Sequence, residues 1–170
     1  MRVSDGVEWV LHCCTVLAVL PDGERLPAAR LAEFHDVPPA YLAKHLQALA
    51  GAGIVASDPG PLGGYRLARP PAEISMLDVV LAVDGTERAF RCSEIRQRGP
   101  AAGEPDSVAY AKPCGIARAM WRAEQAWRSE LRVITVADLV SEVLATVPAE
   151  QLVRGAEWIQ QVQINRRSRS

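Results

Sequence analysis

The chain has few aromatic residues, almost no net charge and no long uninterrupted apolar run. Aromatic residues make up 5% of its 170 residues, and the formal net charge at pH 7 is -1. A chain with so little net charge needs a local basic patch if it is to bind nucleic acid. Its apolar share of 49% and charged share of 23% are those of an ordinary globular protein, so a largely disordered or fibrous chain is excluded.

No apolar run reaches the roughly 20 positions that a bilayer-spanning helix needs. The first run, from Val7 to Leu20, is interrupted by Glu8 and His12, and no signal-peptide cleavage pattern follows it. We therefore predict a buried helix here, a cytoplasmic chain and no membrane partner. In that reducing compartment, the four cysteines are more typical of core residues, metal ligands or redox groups than of a disulfide framework.

Three predicted helices open the chain. Ser4 and Asp5 can cap the first helix, and Pro27 suits the first turn of a second helix over residues 28–34. A Pro38-Pro39 pair begins a third helix over residues 40–49. The second and third helices are joined by a tight turn, and the third has polar and basic residues on its free face, which indicates a helix-turn-helix.

A short hairpin is predicted directly after the third helix. Residues 54–57 and 65–69 have the character of strands, and the loop between them is rich in glycine. A hairpin at this position is typical of a wing, and a fourth helix follows over residues 75–83. The predicted fold class is therefore mainly α with a small β-hairpin wing, that is, a winged helix-turn-helix, followed by a long dimerisation helix.

The second half of the chain alternates between irregular and helical patterns. Residues 91–113 lose their periodicity, whereas residues 116–133 and 136–144 have helical spacing. The longer helix has no evident partner within one small domain, so we expect it to pack against its two-fold mate in a homodimer. The expected division is a DNA-binding domain over 1–85, a loop over 86–114, dimerisation helices over 115–147 and an extension over 148–170. Residues 165–170 are expected to form a frayed basic tail.

The wing and the following helix, residues 63–70 and 74–85, resemble those of the IscR and NsrR family of winged-helix regulators. The resemblance covers roughly residues 1–144 and implies a homodimeric transcription regulator of double-stranded DNA, not an enzyme. In that family, a cysteine-bearing loop before the dimer helix holds an iron-sulfur cluster whose state alters DNA affinity. Familiar members have three cysteines in this loop, whereas this chain has only Cys92 and Cys114, which excludes a three-cysteine site.

The resemblance suggests where the missing ligands lie. Glu8 and His12 are four residues apart, so a helix places both on one face. In the family, the first helix of one subunit can approach the cluster loop of the other. The surroundings of these residues most resemble those of a redox regulator, which implies a 2Fe-2S cluster held by Glu8, His12, Cys92 and Cys114 across the dimer. Trp9 is then expected beside the cluster.

Two readings from other classes remain open. Two cysteines, a histidine and a glutamate also suit tetrahedral zinc, which would make the chain a zinc-stabilised structural or protein-interaction domain without redox sensing. Cys13 beside His12 could suggest a nucleophile, but no third orienting group is evident, and catalysis is not expected. Cys14 is expected to be a core residue, while Cys13 is left open between the core, a ligand and a reactive thiol.

The DNA-contacting residues are predicted from the third helix and the wing. The helix should supply contacts to the major groove or to phosphate, and the wing should enter the neighbouring minor groove. The candidates are Tyr41, Lys44, His45 and Gln47 on the helix, and Gly63, Gly64 and Arg66 in the wing. Nothing in the sequence specifies a base sequence.

Overall fold

A computed structural model describes residues 3–60, 62–104 and 107–168. Seven α-helices and one two-stranded antiparallel sheet are found in these ranges. The helices are α1 (Asp5–Ala18), α2 (Ala28–His35), α3 (Pro39–Gly51), α4 (Met76–Asp84), α5 (Gly115–Val133), α6 (Val136–Thr146) and α7 (Ala149–Arg167), and the strands are β1 (Val55–Asp58) and β2 (Gly64–Leu67). The mainly helical fold class with a small hairpin is confirmed. None of the helices so described combines the length and apolar character that crossing a bilayer requires.

The central helix of the core is α1, which packs against α3, α4 and α6. Its buried side includes Val10, Cys13, Cys14 and Leu17, whereas Leu11 is only half-buried. Burial raises the pKa of both the Cys13 and the Cys14 thiol to about 12. Both cysteines are fully buried in the core, as was expected of Cys14, and this burial favours the core alternative for Cys13.

The helix-turn-helix consists of α2 and α3. The turn begins at Asp36, which adopts a left-handed conformation with φ of 51° at the end of α2. Leu42, Leu46 and Leu49 of α3 are fully buried, as their spacing predicts. The opposite face of α3 is left toward solvent.

The hairpin is attached to the body of the protein through the segment before α2. Val55 pairs with Leu67 and Asp58 with Gly64, and an additional bridge joins Tyr65 to Leu26. The Tyr65 amide donates to the Leu26 carbonyl at 2.8 Å, and the Leu26 amide donates back at 3.0 Å. Gly64 has φ of 144°, and a Cβ there would lie 2.7 Å from the Leu26 carbonyl, so only glycine allows this approach.

The two halves of the chain meet where α4 and α6 begin, and each of these helices begins with a capping box. Ser75 and Asp78 cap α4, and Thr135 and Asp138 cap α6 in the same way. Ser75 and Thr135 also form an antiparallel bridge, so the chain returns to the start of α4 after α5. This connection holds α6 against α1.

The C-terminal segment differs from the prediction. A frayed tail was expected from residue 165, but residues 149–167 form α7; residues 169 and 170 lie outside the described ranges. The helix is ordered because Val162 is buried and Trp158 and Ile159 pack against the hydrophobic core. Only these few apolar residues on a polar helix make the contact, which is why the sequence pattern did not reveal it.

Candidate DNA-binding face and metal half-sites

The free face of α3 presents three of the four predicted helix residues. Tyr41 is 59% exposed, and Lys44 and Gln47 are also exposed. His45 is placed differently from the surface position predicted for it. Its ring is half-buried over Gly6 of α1, where a Cβ on Gly6 would lie 2.5 Å from His45 Cε1. His45 therefore occupies the contact between α1 and α3, which favours a packing role over a DNA contact.

The base of the wing is closely packed at Gly63 and contains ion pairs of Asp58 with Arg25 and Arg66. Gly63 is buried, and a Cβ there would lie 2.6 Å from the Pro59 carbonyl carbon, so its glycine is required by backbone packing. Asp58 accepts a hydrogen bond from Arg25, which holds the pKa of its carboxyl below the ordinary range. Arg66 Nε lies 3.8 Å from the same carboxylate, and its side chain remains 42% exposed. Arg66 is thus anchored at the base of the wing with part of its guanidinium open to a phosphate.

Glu8 and His12 lie together on the exposed side of α1, as their spacing predicts. They line an open, mainly apolar cavity of about 380 Å³ between α1 and the α5–α6 pair. Its other walls include Trp127 and Leu131 of α5 and Leu139 of α6. Glu8 makes no hydrogen bond or ion pair within the described ranges, whereas the His12 ring lies 5.7 Å from the His35 ring. One face of α1 therefore offers a carboxylate and an imidazole to the same open space.

Trp9 connects this face of α1 to the recognition helix. It is half-buried, and its ring centroid lies 6.1 Å from that of Tyr41 and 6.4 Å from that of His45, with both pairs edge-to-face. The ring centroids of Tyr41 and His45 are 5.5 Å apart. The residue next to Glu8 is thus in direct contact with the predicted DNA-reading surface.

Cys92 and Cys114 frame a loop that has no strand and only two short 3-10 turns in its described residues, Ile95–Gln97 and Val108–Tyr110. Cys92 is exposed and Cys114 is partly exposed. Cys114 is the N-cap of α5, and its sulfur accepts a hydrogen bond from the Ala117 amide at 3.3 Å. That hydrogen bond, together with the nearby Arg96 charge, lowers the pKa of the Cys114 thiol. Both contacts stabilise the thiolate, the form that binds metals, relative to its stability in a free cysteine.

Arg96 organises the loop and was not among the predicted site residues. Its guanidinium donates to the Glu94 carboxylate at 2.5 and 2.9 Å and to the carbonyls of Ala109 and Lys112 at 2.8 and 3.0 Å. It also lies 5.4 Å from the Tyr110 ring centroid. The Glu94 hydrogen bond, with smaller contributions from Cys114 and Cys92, raises the pKa of Arg96. Both sulfurs thus lie within reach of its charge. The sequence feature that could have indicated this role is the presence of an arginine and a tyrosine in a long loop without regular structure.

The four predicted ligands are not brought together in one site within the chain. No group of three or more histidine, cysteine, aspartate or glutamate side chains suited to a metal occurs in the part of this chain that the structure describes. We call Glu8 and His12 on α1, and Cys92 and Cys114 at the two ends of the loop, the two candidate half-sites. A complete four-ligand site would need both half-sites to be brought together by a second copy of the chain.

These features were compared with known proteins. The model of the Rrf2 family, described as iron-dependent transcriptional regulators, matches residues 3–142. The chain belongs to the Rrf2 family. It is 31% identical over 144 residues to YffB of Lactococcus lactis, a candidate HTH-type transcriptional regulator, covering 84% of this chain and 88% of that one. It is 32% identical over 145 residues to the candidate HTH-type regulator Rv1287 of Mycobacterium tuberculosis, and the match covers 85% of this chain and 84% of Rv1287.

Solved structures share the fold. CymR of B. subtilis, the global cysteine regulator, superimposes with a TM-score of 0.65 at 22% identity, covering 84% of this chain and 98% of CymR. IscR of T. potens superimposes with a TM-score of 0.62 at 21% identity, and the match covers 87% of this chain and 93% of IscR. These structures show the winged-helix fold, and the family match together with the HTH-type relatives makes the chain a DNA-binding regulator of transcription and not an enzyme. The family match ends at residue 142, so α7 lies beyond it.

Proposed function

We propose that this regulator senses redox state through a 2Fe-2S cluster held between the subunits of a homodimer, and that the state of the cluster alters its affinity for double-stranded DNA. The observation that carries the proposal is the pair of complementary half-sites. One supplies a carboxylate and an imidazole from Glu8 and His12, and the other supplies two thiols from Cys92 and Cys114. Neither pair can complete four-fold coordination without another set of donors.

The donor set fits such a cluster. Cys92 is exposed and Cys114 is partly exposed, so both sulfurs are accessible ligands. Glu8 and His12 are exposed on one side of α1 and face open space. When bound, the cluster supplies a one-electron redox group, and imidazole in place of thiolate raises its reduction potential. The iron dependence in the description of the family supports iron over zinc.

The homodimer is supported by the exposed surface of α5. Only Ala117 and Glu124 are buried along its 19 residues. Ile116 is 69% exposed and Met120 is 46% exposed, and their spacing of four places both on one side of the helix. A second copy of α5 would cover this apolar side, as a two-fold interface requires. Because Cys114 caps the same helix, this interface would carry the thiol half-site toward the partner's α1.

The aromatic contacts of Trp9 suggest how such a site could influence DNA binding. Trp9 directly follows Glu8 on α1, and its ring contacts Tyr41 and His45 of α3. If a change in the redox state of the cluster shifted Glu8 and His12, α1 would shift with them. That movement would push Trp9 against Tyr41. Tyr41 is 59% exposed on α3, the predicted DNA-recognition helix, so its displacement would alter the DNA-reading surface.

Anaerobic purification tests this proposal. We expect red-brown protein that contains iron and acid-labile sulfide and bleaches reversibly with a one-electron reductant. DNA affinity should then be measured for the oxidised, reduced and cluster-free forms by fluorescence anisotropy. His12→Ala should lose or strongly perturb the absorption, whereas Cys14→Ala, in the core of the same helix, should retain it. A colourless, natively folded zinc protein, or equal DNA affinity in all three forms, would refute the proposal.

A further inference from the structure

The C-terminal helix α7 ends against the base of the wing. The Gln163 side-chain amide donates to the Arg25 carbonyl at 2.9 Å. The Arg166 guanidinium donates to the same carbonyl and also to the carbonyl of Gly63, in the turn of the hairpin. Arg167 forms an ion pair with Glu24. Three side chains of α7 thus hold the segment before α2, and one of them reaches the wing directly.

The body of α7 is fixed to the helix-turn-helix. The Trp158 ring lies 5.2 Å from the Phe34 ring of α2 at an angle of 61°. Gly155 lies over the same phenylalanine, since a Cβ there would be 3.5 Å from Phe34 Cζ. Val162 is buried one turn before Arg166. The arginine is therefore presented by a packed helix and not by a free tail.

The wing needs support of this kind because it is small. Each strand has four residues, and an isolated two-stranded hairpin is marginally stable at best. The open end of the hairpin packs against the core through Val55 and Leu67, whereas the end near the turn is held by the bridge between Tyr65 and Leu26 and by the hydrogen bond from Arg25 to Asp58. Both contacts depend on the position of residues 25 and 26. Arg166 and Gln163 fix that position by binding the Arg25 carbonyl.

We propose that Arg166 and Gln163 of α7 position the wing for DNA binding by tying Gly63 and Arg25 to the body of the protein. They are positioning residues that act through the wing and not through contact with DNA. The Arg166 guanidinium is engaged by backbone carbonyls, and burial lowers its pKa. It is therefore not presented as a phosphate ligand. The role is independent of any cluster and belongs to a segment beyond the family match.

Hydrogen exchange and DNA binding test this role in the full-length dimer. The variants are Arg166→Ala and Gln163→Ala, and the control is Arg154→Ala, which removes the same charge as Arg166→Ala from an exposed position on α7. The probe is a duplex of about 30 base pairs, roughly three helical turns, selected from a random pool for tight binding to the wild type. Affinity is measured over a series of salt concentrations.

We expect Arg166→Ala to speed amide exchange in residues 62–66 and to weaken DNA binding by about tenfold, the effect of losing one charged hydrogen bond. The slope of affinity against salt should stay unchanged, because no phosphate contact is removed. Gln163→Ala should act in the same direction, and Arg154→Ala should do neither. Arg166→Lys keeps the charge but lacks the planar fork, so it should also speed wing exchange.

Three results would overturn the proposal. The first is unchanged exchange in the wing of Arg166→Ala. The second is a salt slope that falls by about one, which would make Arg166 a direct phosphate contact. Thermal unfolding of each variant identifies a general loss of stability, and faster exchange throughout α1 to α4 would likewise refute a role specific to the wing.

Discussion

Replacing Gly6 by alanine tests the contact between α1 and the recognition helix. The added Cβ would lie 2.5 Å from His45 Cε1 and 2.8 Å from His45 Cδ2. Ordinary contacts between carbon atoms are about 3.5–4.0 Å, so the His45 ring must withdraw by roughly 1 Å. Because the ring is flanked by Trp9 and Tyr41, it cannot move without disturbing them. We expect Gly6→Ala to destabilise the protein.

The magnitude follows from two opposing effects. Overpacking of this kind costs roughly 1–3 kcal/mol, whereas alanine in place of glycine in a helix gains at most about 1 kcal/mol. Gly51, in the last turn of α3, is the matched control because a Cβ there meets nothing within 4 Å. Gly51→Ala should be neutral or stabilising by about 0.5 kcal/mol. The two substitutions should therefore differ by about 1–3 kcal/mol in the free energy of unfolding.

Urea unfolding of the metal-free protein measures this difference, and a double-mutant cycle assigns it to His45. In a His45→Ala background the clash is removed, so Gly6→Ala should become neutral or stabilising. The expected coupling equals the overpacking cost, about 1–3 kcal/mol. If Gly6→Ala costs the same in both backgrounds, His45 does not pack on Gly6, and the assignment of His45 to the helix contact is refuted.

Three further predictions concern the cysteines, the base of the wing and DNA contact. In cluster-free native protein at pH 8, iodoacetamide should label Cys92 and Cys114 and spare Cys13 and Cys14, whose buried thiols have a pKa of about 12; mass spectrometry showing early labelling of Cys13 or Cys14 would contradict their burial. The hydrogen bond from Arg25 lowers the pKa of Asp58 in the folded state. The ionised Asp58 should therefore contribute to stability at pH values above about 3.8, the ordinary pKa of aspartate, and this contribution should be lost as the pH falls through the lowered pKa of the folded state. The stability difference between wild type and Asp58→Asn, followed by unfolding at a series of pH values, should therefore shrink below about pH 4, and a constant difference would refute the ion pair. Arg66→Ala should weaken DNA binding and lower the salt slope by about one, and an unchanged slope would remove Arg66 from the phosphate contacts.

The helix-turn-helix and the hairpin could be predicted because local signals agree there. Prolines at positions 27, 38 and 39 mark helix starts, the leucines of α3 have the spacing of a buried face, and glycines mark the hairpin turn. By contrast, α7 could not be predicted, because its contact with the body of the protein depends on Trp158, Ile159 and Val162 within an otherwise polar sequence.

The site could be predicted only in part. The spacing of Glu8 and His12 determines that they share a helix face, because that relation is local. The role of Arg96 is not local, because it depends on carbonyls of Ala109 and Lys112 more than a dozen residues away. The burial of His45 depends on Gly6 in a different helix, although an isolated glycine in a helix often marks such a close approach.

The most direct test of the central claim is a heterodimer that combines a His12→Ala protomer with a Cys92→Ala protomer. If each site takes Glu8 and His12 from one subunit and Cys92 and Cys114 from the other, this heterodimer retains one intact site, while each parent homodimer has none. We expect iron, sulfide and visible absorption at about half the wild-type level. A heterodimer without any cluster, alongside wild type with one per subunit, would contradict the shared site and the proposed connection between redox state and DNA affinity.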